Sequence, residues 1–243
     1  MEPGFGITDY QSLVNTSNVL GVGAEALLEV AGGVVSLEKR EIFQSAGRIL
    51  RKARGGQFLN GLKQEWDQLR EKGKIDEEIQ NTSQHLDRLS ELLEFVDNEL
   101  PDSTRMEAVK KIFLIAAMDR QSDRRSLLPQ QYLRITKGLS SGEILVLQAC
   151  FQLSITKPIK GNDHAMAQAW LSHIVGISGL GTTDLVDLHE AALIEKNLLC
   201  PRYDGTRKGD RAHVYLTEHG RLTQLGFDLC SYLNKYEMLI SEG

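Results

Sequence analysis

"EKNLLCPRYDGTRKGDRAHVYLTEHGRL", residues 195 to 222, decides how the C-terminal half of this chain is read. Leu198 to Cys200 forms a short apolar run, a polar loop with Gly205 and Gly209 follows, and Ala212 to Leu216 alternates. Two extended runs joined by a Gly-containing polar loop are the pattern of a β-hairpin. Thr217 then stands where a helix cap is expected, and Leu222, Leu225, Leu229 and Leu233 are spaced as the inward stripe of a final helix.

Upstream of the hairpin three helices are expected. In "LSSGEI" (residues 139 to 144) Ser140 and Glu143 make a capping box, and Leu139 with Ile144 makes a hydrophobic staple. A helix therefore begins near Ser141 and runs to about Leu153, with Ile144, Leu147 and Phe151 turned inward in part. Asn162 or Asp163 opens the second, in which Met166, Trp170 and Ile174 share a face, and "GISGLG" ends it. Thr183 is expected to cap the third, burying Leu185, Leu188, Ala192 and Leu193. Helix, helix, helix, hairpin, helix is the order of a winged-helix domain.

The N-terminal half reads as helices throughout. Ile42, Ala46, Ile49, Leu50 and Ala53 keep helical spacing until Gly55 and Gly56, which are expected to end that run. Arg48, Arg51, Lys52 and Arg54 crowd its last turns, where the helix dipole favours cations. Phe58, Leu62, Trp66 and Leu69 continue the period, and Leu86, Leu89, Leu93, Val96 and Leu100 repeat it after a polar break. Pro101 stops that helix, and Thr104 to Glu107 is read as a capping box for the next, with Val109, Ile112, Phe113 and Ala116 inward. Residues 119 to 126 form a polar linker, and Pro129 sits in the first turn of a short helix through Ile135. The expected fold is mainly α, with a helical domain over residues 1–138 and a winged-helix domain with one small β-hairpin over residues 139–243.

Length and composition set outer bounds. A chain of 243 residues with 41% hydrophobic and 25% charged residues and five prolines has material for a packed core, which excludes disordered and fibrous classes. The net charge of −5 excludes a surface that grips nucleic acid everywhere, so any such contact must be local. Three cysteines, Cys150, Cys200 and Cys230, without short-range pairing suit a reducing compartment, and no secretory signal is read, so a cytoplasmic location is expected. Residues 18 to 37 are rich in Gly, Ala and Val but contain Glu25 and Glu29, each unfavourable by ~2.5 kcal/mol or more at the centre of a membrane helix. A small-residue helix packed on a neighbour is the expectation there, and a membrane-active segment the alternative. "GVGAEA" in the same stretch approaches a dinucleotide fingerprint at Gly21, Gly23 and Ala26, but the second strand of a βαβ unit does not follow.

No catalytic constellation stands out. The six histidines form no i, i+4 pair for a metal, and Cys-x-x-Cys, Gly-x-Ser-x-Gly and phosphate-loop patterns are missing. Cys200, His213, His219 and Cys230 surround the hairpin, yet small core residues account for the two cysteines more simply than zinc. "REKGKIDEE" (residues 70 to 78) is read as an exposed charged turn. The chain is expected to be no enzyme and to need no cofactor or metal.

The stretch "LIEKNLL…KGDRAHVYLTEHGRL" is similar to the wing region of multiple-antibiotic-resistance-regulator (MarR-type) winged helices over about thirty residues. The resemblance implies that the helix from Thr183 to Lys196 enters a DNA major groove, and that the wing arginine falls on Arg211, beside Asp210. A broader layout resembles abortive-infection alpha proteins, a bacterial phage-defence-associated group. It is carried by Leu139, Ser140 and Glu143 at a helix start and by Leu216, Thr217 and Gly220 before the last helix. This second resemblance implies a defence or interaction role.

Charge argues against the DNA-contacting role of the third helix. It carries Asp184, Asp187, Glu190 and Glu195 against Lys196 and a neutral His189, whereas neutralising phosphates is the main source of non-specific DNA affinity. Residues 140 to 243 hold nine Lys and Arg against twelve Asp and Glu, a net of −3. The hairpin loop still has a basic tip, through Arg202, Arg207, Lys208 and Arg211. These four residues, with Thr183 and His189, are the candidate contacts to a partner. The leading expectation is a non-enzymatic interaction protein that binds a protein, its own copy or a nucleic-acid complex. A DNA-binding regulator using the wing and a membrane-active defence effector using residues 18 to 37 are the alternatives.

Overall fold

The computed structural model describes residues 49, 53–75, 78, 82–99, 101–118, 127–156, 164–201 and 219–241. Within them the protein is mainly helical, with eight helices: α1 Ala53–Glu71, α2 Ser83–Glu99, α3 Ser103–Met118, α4 Leu127–Lys137, α5 Ser141–Thr156, α6 His164–Ser178, α7 Thr183–Glu195 and α8 Gln224–Ser241. The chain divides into two compact units, residues 1–137 with 238–243, and residues 138–237. The segment at residues 18 to 37, the linker at 119 to 126 and the hairpin loop from 202 to 218 lie outside the described residues, as do Arg202, Arg207, Lys208 and Arg211.

In the first unit α3 is the central helix. Its run Ile112 to Ala117 is buried on every side, so the inward stripe expected at Val109, Ile112, Phe113 and Ala116 is part of a wholly buried segment. Trp66 of α1, His85 of α2 and Phe113 of α3 form one cluster, with ring centroids 5.6 Å, 6.1 Å and 5.2 Å apart. Around it Leu62 and Leu69 of α1 and Leu89, Leu93 and Val96 of α2 are buried, as their spacing predicted.

Two local expectations are corrected. Gly55 and Gly56 do not end a helix; α1 runs through them. A Cβ on Gly55 would lie 2.4 Å from the Ile49 carbonyl oxygen, so glycine there answers a close approach of the chain. The burial of Phe58, Leu62 and Trp66 outweighs the ~1 kcal/mol by which glycine weakens a helix interior. Helix α3 opens one residue before Thr104, at Ser103, with Asp102 as its cap: the Arg105 amide donates to Asp102 Oδ1 at 3.2 Å. Glu107, expected to close a capping box, is drawn away to Lys110.

Lys110 is a buried charge of this unit, 4% exposed. Its Nζ donates to Glu65 Oε1 of α1 at 2.5 Å and to Glu107 Oε1 at 2.7 Å. Burial works to lower the ammonium's pKa, but the hydrogen bonds to Glu107 and Glu65 outweigh it and hold the group above the ordinary lysine value. Helix α1 itself ends at Gly73 (φ 63°), where Lys74 N donates to Leu69 O and Gly73 N to Arg70 O, both at 2.8 Å, a Schellman closure.

The second unit contains α5, α6, α7 and most of α8. Helix α5 opens as its sequence predicted: Ser140 N donates to Glu143 Oε2 at 2.5 Å, Glu143 N donates to Ser140 Oγ at 3.3 Å, and Leu139 and Ile144 are both buried. Thr182, not Thr183, caps α7, accepting from the Leu185 amide at 3.4 Å. The residue before the helix has the extended backbone that a cap requires, and Thr183 is already in the first turn. Helix α7 closes on Asn197 at φ 57°, with Leu198 N donating to Leu193 O and Asn197 N to Ile194 O, both at 2.9 Å. Leu193 and Leu198, the apolar pair of this second Schellman closure, have no exposed surface.

Helix α8 starts later than the sequence suggests, at Gln224 and not after Thr217. Residues 219 to 223 are held in non-helical form by pairing with the end of α7. Leu199 and Leu222 make an antiparallel β-bridge, Cys200 N donates to Arg221 O at 2.8 Å, and Thr223 N donates to Leu198 O at 3.2 Å. Thr223 is the cap, accepting from the Gly226 amide at 3.0 Å while its hydroxyl donates to Asn197 O at 2.7 Å. Leu229, Leu233 and Tyr236 follow as the buried stripe, with Leu225 half-buried.

Two outcomes follow from these contacts. Lys110→Met should lower stability by about 2–3 kcal/mol in chemical denaturation, because Glu65 and Glu107 lose a charged donor. The Lys110 contribution is complete below the ordinary lysine pKa of ~10.4 and disappears as pH rises through the raised value, so the gap between wild type and variant should close in strongly alkaline buffer. At the end of α7, Asn197→Gly should change the urea midpoint little, while Asn197→Val should cost about 1–2 kcal/mol through its left-handed backbone.

Candidate partner-binding face

The rotation of α7 about its own axis is set by one buried ion pair. Arg221, with no exposed surface, donates from Nη1 to Glu190 Oε2 at 2.6 Å, and Glu190 is 2% exposed. The second Arg221 terminal nitrogen donates to the Cys200 carbonyl at 2.8 Å. Trp170 Nε1 of α6 donates to the other Glu190 oxygen at 3.3 Å, and the Arg221 guanidinium lies 5.7 Å from the Trp170 ring centre. Arg221 Nε has no acceptor, an unmet donor whose burial costs about 1–3 kcal/mol.

Because Glu190 must face inward, so do Val186 and Leu193, one turn to either side. This overturns the buried face expected for the helix. Leu185 is 43% and Leu188 64% exposed, Ala192 is half-buried, and Leu193 alone of the four expected residues lies in the core. Apolar spacing missed the rotation because it treats a glutamate as an outward residue.

The outward side of α7 consists of Thr183, Asp184, Leu185, Asp187, Leu188, Ala191 and Glu195, all exposed. No lysine or arginine occurs between Thr183 and Glu195. Lys196, at the helix end, is hydrogen-bonded to Glu143 of α5. Glu143 is 4% exposed. Burial works to raise its pKa, but the bonds from Lys196 and Ser140 outweigh this and hold it below the ordinary glutamate value.

Of the two candidate contacts on this helix, Thr183 is exposed and His189 is half-buried. A Cβ on Gly142 would lie 2.0 Å from His189 Nε2, so the imidazole is seated on the α5 backbone where only glycine leaves room. Cys230 is buried, its thiol 3.8 Å from the Leu147 carbonyl, and burial pushes its pKa up. Burial likewise raises the Cys200 thiol, against the partial pull of Arg221. Among the described residues no group of three His, Cys, Asp or Glu side chains could hold a metal, and no helix is long and apolar enough to cross a membrane.

The ion pair makes a sharp prediction. Glu190→Ala should destabilise the protein by about 3–5 kcal/mol, since it leaves Arg221 charged and buried without its partner. Glu190→Leu combined with Arg221→Met should recover most of that loss; a double-mutant cycle read by urea denaturation checks the coupling. No family model, curated protein or solved structure matches this chain.

Proposed function

We propose that this chain is a non-enzymatic interaction protein whose C-terminal unit, of winged-helix type, binds a protein partner through the outward face of α7. The observation that carries the reading is the character of that face: two exposed leucines among carboxylates, with no cation until Lys196, which is engaged by Glu143. Phosphate is repelled by such a surface, and a helix that reads DNA needs donors or cations toward its N-terminus. The winged-helix reading is supported by three helices in sequence, α5 to α7, and by the antiparallel bridge that brings Leu222 back against Leu199 at the end of α7. The resemblance to abortive-infection alpha proteins adds phage defence as the setting.

A DNA-binding regulator is the second reading, favoured by the four cations Arg202, Arg207, Lys208 and Arg211 in the hairpin loop. Titration into labelled random duplex DNA at low and physiological salt separates the two. Absence of binding at low salt is expected. Tight binding whose salt slope falls by up to ~3 in Arg207→Ala/Lys208→Ala/Arg211→Ala would establish the regulator instead.

A further inference from the structure

The geometry of α7 points to a particular kind of partner: we infer that its exposed ridge receives a basic amphipathic helix. This rests on the protein-interaction reading above and adds the chemistry of what is bound. Asp184, Leu188, Ala191 and Glu195 occupy positions i, i+4, i+7 and i+11, a single stripe along the exposed side. Such a stripe is about 16 Å long, with an apolar centre and a carboxylate at each end. Leu188 at 64% exposure is the most exposed large apolar side chain among the described residues, and Leu185 beside it is 43% exposed.

Spacing of this kind is what a second helix meets when side chains of one pack into the gaps of the other. Ala191 lets a partner backbone approach, and Leu188 with Leu185 supplies the anchor. Charge selects among helices. Carboxylates at both ends of the apolar centre, on a helix with no cation before Lys196, disfavour an acidic partner and favour one carrying Lys or Arg outside a leucine core. A phosphate chain would find no cation before Lys196 on this face.

The test uses the full-length protein and three labelled synthetic helices of equal length: lysine with leucine, glutamate with leucine, and lysine with serine in place of leucine. Fluorescence anisotropy should show binding of the lysine–leucine helix, weakened tenfold or more by Leu185→Ser/Leu188→Ser and severalfold at low salt by Asp184→Asn/Glu195→Gln. Asp87→Asn/Glu94→Gln, two exposed carboxylates of α2, should leave binding unchanged. Equal weakening by that control pair, or equal binding of the lysine–serine helix, would mean general attraction to an acidic protein and overturn the inference. Preference for the glutamate–leucine helix would overturn the partner's charge while leaving a protein-interaction role standing. A dimer in light scattering that dissociates in Leu185→Ser/Leu188→Ser would give the ridge to a second copy and overturn it too. No binding of any helix, with no DNA binding, removes this partner alone, whereas DNA binding through the hairpin loop removes the underlying reading as well.

Discussion

Arg221 and Glu190 stand thirty-one positions apart in the chain and meet where neither touches solvent. A buried pair of this kind gives little net stability, since desolvating both groups offsets most of their attraction, but it is intolerant of rearrangement because a lone buried charge is far worse. Its consequence is therefore positional. The pair fixes the rotation of α7, ties the chain entering α8 to the end of α7 through the Cys200 carbonyl, and orients Trp170 of α6 toward the same carboxylate. Three elements of the second unit are locked by one guanidinium.

The first unit solves a similar problem with a different residue. Lys110 lies on α3 just before its wholly buried run, and its ammonium reaches Glu65 and Glu107, which are partly open to water. That openness lowers the desolvation penalty and lets two carboxylates hold the cation charged. Arg221 has no such outlet, so its geometry is the stricter of the two.

What the ion pair hides it also exposes. A helix with apolar residues at 185, 186, 188, 192 and 193 could bury more than one face, and burying Leu188 with Leu185 would be the choice made by hydrophobicity alone. Seating Glu190 inside instead turns those leucines outward, in the company of Asp184 and Glu195. The surface so made is apolar at its centre and negative at its ends, which is poor for phosphate and suitable for a cationic helix. The exposed face of α7 is thus a by-product of where one arginine must find its carboxylate.

The sequence by itself determined the mainly helical class, the box at Ser140 and Glu143, the stop before Pro101 and the inward rows of α1 and α2. Each depends on residues within one or two turns of one another, where backbone hydrogen bonds and 3.6-residue spacing leave few choices. It placed the caps of α3 and α7 one residue or two away from Asp102 and Thr182, because several oxygens compete locally and only geometry ranks them. Tertiary structure decided the rest. Gly55 stays helical because Phe58, Leu62 and Trp66 beyond it are buried, Glu107 leaves its cap for Lys110, and Thr223 begins α8 because the chain before it pairs with Leu198 and Cys200. The face of α7 belongs to the same class: its rotation is fixed by a partner far along the chain, and no local pattern contains the energy of a pair formed only when the helices pack.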